Sequence, residues 1–327
     1  MSKLADFESL AARTAIPLPD VFRNLLACGA TEYGADWSST WRERCLHNPP
    51  ALISCVDFEW IDAAQSQEEI EAWLHPEAQG GRSFLPFAKS GAGDLYCLVP
   101  FAGPDGVQRT GVAYVWHDSD AHRITYGAFT DFVCGSFLQA FADVETSLAP
   151  HEALQSIQAD VQQVARCMGA EQRDYLRGFC QLPWAEREFR DGPRSKPRKA
   201  WSLISQEQLD TELEKFPSPG IPLPIVSRDD LIPEPQPGLD WRSYAADPSN
   251  PKSVLAAAEG YRKEQGVSWA EARAAVERYI ADPGSHDWQA CANDPQRKFA
   301  AIQLYQKAHG VSAIEAKKAV DHYLAHR

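Results

Sequence analysis

The chain has 327 residues and a formal net charge of −13, with 44% hydrophobic and 24% charged residues. This composition predicts a globular protein with a real core. No apolar run approaches the roughly 20 residues that a membrane-spanning helix needs. The N-terminus lacks the apolar stretch of a secretory signal, so we expect a cytoplasmic protein that does not bind membranes.

The negative charge is concentrated in the first half of the chain. Residues 1–150 contain 9 Lys and Arg against 20 Asp and Glu, a net of −11, whereas residues 151–327 contain 23 against 25, a net of −2. An acidic domain is repelled by phosphate backbones and attracted to basic proteins, which argues against direct nucleic-acid binding. Solubility alone also explains an acidic surface, so charge does not decide the function.

The cysteines indicate a reduced protein. None of the eight forms a CxxC pair, and several lie in apolar runs, as buried thiols do. A disulfide framework is not expected in a chain of this length without export, and no local motif marks a catalytic thiol.

The first 150 residues predict an α+β domain. Its strands contain many apolar residues on both faces, which indicates a sheet covered on both sides. The predicted helices are 18–29, 66–74, which begins with a Ser-x-x-Glu capping box, and 129–147. The predicted strands are 51–60, 84–88, 94–101, 112–117 and 124–129.

The middle of the chain, 151–250, predicts a helical segment followed by a connector. Residues 151–185 have helical spacing, and residues 186–200 are basic and interrupted by Pro and Gly. Residues 216–251 are so rich in proline that we expect no regular element, but an extended chain lying along a neighbouring surface. A ligand for a partner that binds polyproline helices is the alternative.

Residues 251–327 contain an internal repeat. Residues 257–280 and 301–324 are identical at eleven of 24 positions, at an offset of 44. Each copy predicts a helix, a glycine stop, a Ser-x-x-Glu capping box and a second helix, and therefore a two-copy helical hairpin. Each G-V-S-x-x-E-A unit resembles the helical motif in the C-terminal domain of the bacterial ribosomal stalk protein. That resemblance implies a protein-contact module.

Two stretches carry side chains that could do chemistry. Gly91-Ala92-Gly93 precedes Asp94, but a strand follows it and no Gly-Lys-Ser/Thr, so it predicts a turn and not a phosphate-binding loop. The sequence WHDSDAH, residues 116–122, could supply metal ligands from His117, Asp118 and His122. Its Asp-Ser-Asp lies between two strands, where a turn is the simpler interpretation. With no HExxH or GxSxG motif, we expect neither an enzyme nor a cofactor.

Aromatic residues are frequent in and beside the predicted strands. Most should be core, but any that line a concave face among the surplus acids would have the composition of a protein-binding surface. They are Trp60, Trp73, Tyr96, Phe101, Tyr114, Trp116 and Tyr126.

The order of motifs over residues 15–145 resembles the SUKH superfamily, the group around yeast regulators of cell-wall synthesis and bacterial toxin-immunity proteins. The resemblance lies in the opening helix LPDVFRNLLACG, in Leu85-Pro86-Phe87, in Gly91 with Gly93-Asp94, in Cys97-Leu98, in Val115-Trp116-His117-Asp118 and in a closing helix that begins at Phe129. It implies a SUKH-like mixed β-sheet flanked by helices, and a non-enzymatic role.

From the resemblance and the charge we expect an immunity protein that neutralises a basic toxin such as a nuclease. The expected domains are 1–150, SUKH-like; 151–250, helix and proline-rich connector; and 251–327, the helical repeat. The alternative function is a regulatory scaffold that uses the repeats. The oligomeric state is left open. The candidate partner-binding residues are Asp94, Asp105, Trp116, Asp118, Asp120 and Tyr126, followed by Asp57, Glu59 and Asp62.

Overall fold

The computed structural model describes residues 2–144, 147–190, 192, 194–231, 240–245, 248–281, 288–293 and 298–325. Within these ranges the chain divides into two units, Met1–Ser227 and Arg228–Arg327. Each unit has a hydrophobic core of its own. None of the helices in these ranges is long and apolar enough to cross a bilayer.

The first unit combines helices with one large sheet and one hairpin, which confirms the predicted α+β class. Its helices are α1 Lys3–Thr14, α2 Asp20–Ala27, α3 Trp37–His47, α4 Ala63–Glu69, α5 Phe129–Ala142, α6 Pro150–Ala165, α7 Ala170–Phe179 and α8 Gln206–Leu213, with a π-helical turn at Ile70–Leu74 after α4. Its strands are β1 Glu59–Trp60, β2 Leu85–Lys89, β3 Leu95–Ala102, β4 Gln108–Val115, β5 Ala121–Tyr126, β6 Ala185–Phe189, β7 Arg198–Ser202 and β8 Pro222–Pro224.

The large sheet has the order β1-β2-β3-β4-β5-β8, and every described strand pair in it is antiparallel. The predicted mixed sheet was therefore wrong. Its centre is the β3–β4 hairpin, which is in register from Leu95 opposite Val115 to Ala102 opposite Gln108. Alternate β3 residues point to opposite faces, yet both Cys97 and its neighbour Leu98 are fully buried. The expectation that both faces are covered holds for this strand.

Part of the proline-rich segment forms the edge of this sheet, where no regular element was predicted. Leu223 pairs with His122 and is buried, while Pro222 and Pro224 on either side are exposed. Proline has no N–H to donate, so it is tolerated at an edge and blocks the addition of another strand. The stretch 232–239 of the same segment lies outside the described residues.

The core of the first unit extends well past residue 150, so the predicted domain boundary there was wrong. Ile157 and Val161 of α6, Leu176 of α7 and Leu209 of α8 belong to the same buried cluster as Phe87 of β2. The basic stretch that was expected to be irregular instead contains the antiparallel hairpin β6–β7.

Most of the predicted strand 51–60 is a series of turns, because a carboxyl group from a distant helix binds its backbone. The backbone N–H groups of Leu52 and Ser54 donate to the two oxygens of Asp160 on α6, at 2.8 and 2.9 Å. Leu52 adopts a left-handed φ of 64°, which interrupts an extended strand. Only Glu59 and Trp60 pair as β1.

The second unit contains the predicted repeat, in which each copy has one helix more than expected. The described helices are α9 Arg228–Leu231, α10 Trp241–Ala245, α11 Pro251–Gln265, α12 Trp269–Ala281, α13 Trp288–Asn293, α14 Lys298–His309 and α15 Ala313–Ala325. We call α10–α12 the first copy and α13–α15 the second copy. The capping boxes are confirmed, since Ser268 and Glu271 bond reciprocally, as do Ser312 and Glu315.

The added helix places the same aromatic contact in both copies. Trp241 packs edge-on against Tyr261 and Tyr279, with ring centroids 5.1 and 5.0 Å away. Trp288 packs in the same way against Tyr305 and Tyr323, at 4.8 and 5.1 Å. The sequences that begin at 240, DWRSYAADP, and at 287, DWQACANDP, are identical at five of nine positions. The duplicated unit is therefore a three-helix module.

We predict that Asp160→Asn changes how the stability of the protein depends on pH. Burial raises the pKa of Asp160 to about 7, although the bonds from Ser54 and Leu52 oppose the rise. Between about pH 4 and 7 the unfolded chain loses this proton and the folded protein keeps it, so the wild type loses stability as pH rises through that range. The Asn side chain of the variant cannot titrate, so the variant lacks this pH-dependent change in the free energy of unfolding. The change is on the order of 4 kcal/mol at most.

Urea unfolding at pH 4 and pH 7 measures the effect as a change in the free-energy difference between variant and wild type. That difference should move in favour of Asp160→Asn as pH rises. Asp118→Asn, at an exposed acid, is the matched control and should follow the wild type. A difference that stays constant with pH would contradict the prediction.

Candidate functional site

The Gly91-Ala92-Gly93 turn is occupied by a carboxylate of the same chain. The N–H of Gly91 donates to Oδ1 of Asp57 at 2.6 Å, and Gly93 has a φ of 91°, which favours glycine. The N–H of Ser90 donates to the carbonyl of Asp94 at 2.8 Å and closes the turn between β2 and β3. An amide that a phosphate would need is therefore already bonded, and the turn interpretation is confirmed.

Asp94, a candidate partner-binding residue, is buried, with 6% of its surface exposed, so little of it is available to a partner. Its Oδ2 accepts a bond from the hydroxyl of Tyr114 at 2.8 Å. Its Oδ1 accepts from the backbone N–H of His117 at 3.2 Å and lies 2.7 Å from the Nδ1 of the same residue. Burial acts to raise the pKa of Asp94, but the bonds from Tyr114 and His117 outweigh it and lower the pKa. Asp94 thus anchors the end of β4 to the start of β3.

The two histidines of WHDSDAH bond to different residues. His117 bonds to Asp94, whereas the Nε2 of His122 lies 2.7 Å from the carbonyl of Ser119. The ring of His122 also stacks on Trp116, with centroids 5.4 Å apart. Within the described ranges no three His, Cys, Asp or Glu side chains are grouped so that they could hold a metal ion. The described geometry therefore gives the metal alternative no support.

Three further candidate acids are exposed but bonded within the chain. Asp105 pairs with both terminal nitrogens of Arg109, at 2.8 and 2.6 Å, in the β3–β4 turn. Glu59 lies 3.6 Å from Lys89 across the β1–β2 pair. Asp62 caps α4 by accepting a bond from the N–H of Gln65 at 2.8 Å.

The β4–β5 turn, residues 116–120, keeps its candidate residues at the surface. Trp116 is 43% exposed, and Asp118 and Asp120 are exposed on the same short turn. An exposed tryptophan beside two acids fits a protein-contact site better than a core position, because tryptophan is enriched among the residues that dominate binding energy.

Trp116 is the first of a row of aromatic side chains that contact one another. Its ring meets Tyr114 at 5.4 Å, Tyr114 meets Tyr96 at 4.8 Å, and Tyr96 meets Phe58 at 5.1 Å. The row leads to an open cavity of about 630 Å³. We call this cavity the aromatic groove. It is lined by Cys55, Val56, Phe58, Tyr96, Tyr114, Arg123, Thr125, Tyr126, Phe132, Ser136, Gln139, Leu213, Phe216, Pro217 and Ser218.

The groove has tyrosine hydroxyls on its walls and carboxylates nearby. Burial raises the pKa of Tyr114 and of Tyr126 to about 12, so both hydroxyls are protonated at neutral pH. The Tyr114 hydroxyl already donates its proton in the hydrogen bond to Asp94. The charges of Asp57 and Asp131 act on these tyrosines and raise their pKa further. Among the described lining residues, Arg123 alone carries a positive charge.

A glycine allows Tyr126 to take its place in the groove. A Cβ atom at Gly135 of α5 would lie 2.6 Å from the Tyr126 hydroxyl oxygen, so any other residue would displace the ring. The candidate residue Tyr126 is therefore held between β5 and α5 with part of its surface exposed.

The sequence identified some of the groove aromatics but missed its other wall. Tyr96, Tyr114 and Tyr126, which line the groove, and Trp116, which lies beside it, were singled out by their place among the strands. Trp60, Trp73 and Phe101 from the same prediction are core residues. Leu213 ends α8 and Phe216 lies three residues further on. Both are more than 80 residues from β5 in the chain, and no local signal links them to the sheet.

Comparisons with known proteins leave the identity open. No protein-family model matches the chain, and no curated protein and no solved structure is similar to it. The functional interpretation therefore depends on the groove and its surroundings.

We predict that Asp94→Ala destabilises the first unit by about 1–3 kcal/mol, because it leaves the partly buried donors of Tyr114 and His117 without their acceptor. Asp118→Ala, four residues after Tyr114 and exposed, should stay within about 0.5 kcal/mol of the wild type. Chemical denaturation followed by tryptophan fluorescence measures both. Equal losses in the two variants would show that Asp94 does not have the anchoring role assigned to it.

Proposed function

We propose that this chain is a non-catalytic binding protein, with a SUKH-like first unit, that neutralises a basic protein toxin such as a nuclease in the cytoplasm. The observation that carries the proposal is the continuous aromatic surface from exposed Trp116 to the groove, flanked by acidic side chains. The toxin would be blocked by occlusion of its active site or its substrate groove.

The chemistry of the groove fits a cationic side chain of the partner. Faces of tyrosine, tryptophan and phenylalanine attract Lys and Arg, and the attraction grows when the cation is removed from water. The hydroxyls of Tyr96 and Tyr114 lie near Asp57, whose backbone carbonyl is 3.4 Å from the Tyr96 oxygen. The positive charge of Arg123 repels a cation at one side of the groove. We therefore place the partner's Lys or Arg side chain on the side near Asp57.

The charge of the first half supports rapid association with such a partner. Its net charge of −11 creates a long-range attraction for a basic protein, which raises the association rate more than the final affinity. Asp118 and Asp120 project from the turn that carries Trp116, where they would meet the positive rim of the partner.

The test begins with capture of the complex from the native cell and expression of each captured protein alone in a naïve host. We expect one basic partner to be toxic alone and harmless when the wild-type chain is co-expressed. Trp116→Ala should weaken binding at least tenfold and lose protection, since central aromatic contacts contribute about 2 kcal/mol or more. Trp201→Ala is the matched control, because Trp201 is 40% exposed on β7, outside the groove.

Both variants should unfold at nearly the wild-type temperature, so that a loss of binding is not a loss of fold. If no captured protein is toxic when expressed alone, the toxin-neutralising function is wrong. If both tryptophan variants protect equally well, the function stands but the exposed aromatic surface at Trp116 is not the contact surface.

A regulatory scaffold that uses the helical repeat is the second candidate function. It is favoured by two exposed apolar side chains in the second copy, Phe299 at 72% and Ile314 at 71%. At the equivalent positions the first copy has Leu255, which is partly buried, and the much smaller Ala270. Exposed large apolar residues that one copy has and its duplicate lacks are typical of a contact surface.

The double variant Phe299→Ser/Ile314→Ser separates the two functions. As a scaffold, the protein should lose its captured housekeeping partner in this variant and keep it in Trp116→Ala. As a toxin-neutralising protein, it should keep full protection in the double variant. Quantitative capture and the toxicity assay measure both outcomes on the full chain.

A further inference from the structure

Two cysteines that are far apart in sequence are in direct contact in the first unit. The Sγ atoms of Cys28 and Cys167 lie 3.4 Å apart across a separation of 139 residues. Cys28 follows the last residue of α2 and is exposed, whereas Cys167 lies in the turn after α6 and is buried. Neither of these two cysteines is in a disulfide in the structure.

Hydrogen bonds hold the two backbone segments together. The side-chain amide of Asn24 donates to the carbonyl of Cys167 at 3.2 Å, and the N–H of Cys28 donates to the carbonyl of Asn24 at 3.0 Å. The contact is therefore part of how α2 meets the end of α6. A disulfide has its sulfurs about 2.05 Å apart, so bond formation needs a movement of only about 1.3 Å. Both cysteines lie at helix ends, where the backbone adjusts more easily than within a helix.

The two thiols differ in accessibility, which assigns them different roles. An oxidant reaches Cys28 first because its side chain is at the surface. Burial raises the pKa of Cys167 to about 12, and the neighbouring Cys28 adds to the rise, so Cys167 is a protonated thiol at neutral pH. Cys45, Cys97 and Cys134 are buried, which protects them from the same oxidant.

We propose that Cys28 and Cys167 form an oxidation site at which a peroxide makes an intramolecular disulfide. The Cys28 thiolate attacks one oxygen of hydrogen peroxide and breaks the O–O bond, which gives the sulfenic acid and releases the second oxygen as water after proton uptake. The Cys167 sulfur then attacks the Cys28 sulfur, the S–O bond breaks, and the oxygen leaves as a second water with the proton of Cys167. Overall, two thiols and one peroxide give one disulfide and two waters.

The disulfide would lock the layer that forms one wall of the groove. Cys167 lies between α6 and α7, and Tyr175 of α7 contacts Phe216 at the groove with ring centroids 5.9 Å apart. A covalent bond to α2 ties this layer to the helix that packs under the sheet, where Phe22 contacts Phe87. Because the bond closes a long loop of the chain, it should stabilise the first unit.

The test treats the full chain with a stoichiometric amount of hydrogen peroxide, blocks the remaining thiols with an alkylating reagent and maps the peptides without reduction. We expect a monomer that has lost two hydrogen atoms in mass, one linked pair of peptides containing Cys28 and Cys167, and reversal by dithiothreitol. The unfolding temperature should rise by about 5 °C or more. Cys180→Ser, at a partly buried cysteine outside the pair, should behave as the wild type.

Variants of the pair identify the order of steps. Cys167→Ser should stop at the Cys28 sulfenic acid, which dimedone traps, and Cys28→Ser should keep all its remaining thiols. Because Cys28 is exposed, its serine variant is expected to fold even if the Cys167 variant does not. The proposal is wrong if both thiols of the wild type are still alkylated after peroxide, or if Cys28 links to a second molecule or to another cysteine.

Discussion

Three carboxylates that bind backbone N–H groups determine the position of the exposed tryptophan. Asp160, buried on α6, holds the turns at 51–55. Those turns lead to Asp57, which holds the N–H of Gly91 at the β2–β3 turn. That turn leads to Asp94, which holds the end of β4 just after the Trp116 side chain. The N–H of Leu52 is buried, and an unpaired buried N–H group is costly.

The second half of the first unit completes this arrangement. Helices α6 to α8 add their apolar faces to the core and return the chain to the sheet. The segment after α8 closes one side of the groove, and β8 covers the open edge of β5. The prolines of β8 allow it to pair with β5 and prevent further pairing, so the surface that remains available is aromatic side chains and not strand edge.

Local patterns were sufficient where neighbouring residues determine the structure. The β3–β4 hairpin follows from its Pro-Asp-Gly turn and apolar strands, and the repeat helices follow from glycine stops and Ser-x-x-Glu caps. The capping box proposed at Ser66 was wrong, because the cap is Asp62 and Ser66 lies within α4, where its hydroxyl bonds to the carbonyl of Pro86. Asp62 and Ser66 each lie three positions before a Gln or Glu. The sequence pattern alone therefore does not show which of the two caps the helix.

Long-range contacts could not be predicted in this way. The residues 51–57 read as a strand because they are apolar, and only the carboxyl group of Asp160, more than 100 residues away, makes them turn. The helices α1 and α3 have no strong signal in the sequence, and β8 depends on an exposed β5 edge to pair with. The helix containing Trp241 was missed because three inserted residues shift the repeat from an offset of 44 to one of 47.

The distribution of internally bonded and exposed acids supports the proposed binding function. An acid that serves as a general base must reach a reacting group, but Asp94 and Asp57 already accept bonds from the chain. Asp118 and Asp120 are exposed on a turn, where their charges contribute to long-range attraction. An aromatic surface beside such acids gains its energy by removing a partner's cation and apolar groups from water, which requires a rigid wall and no reacting centre.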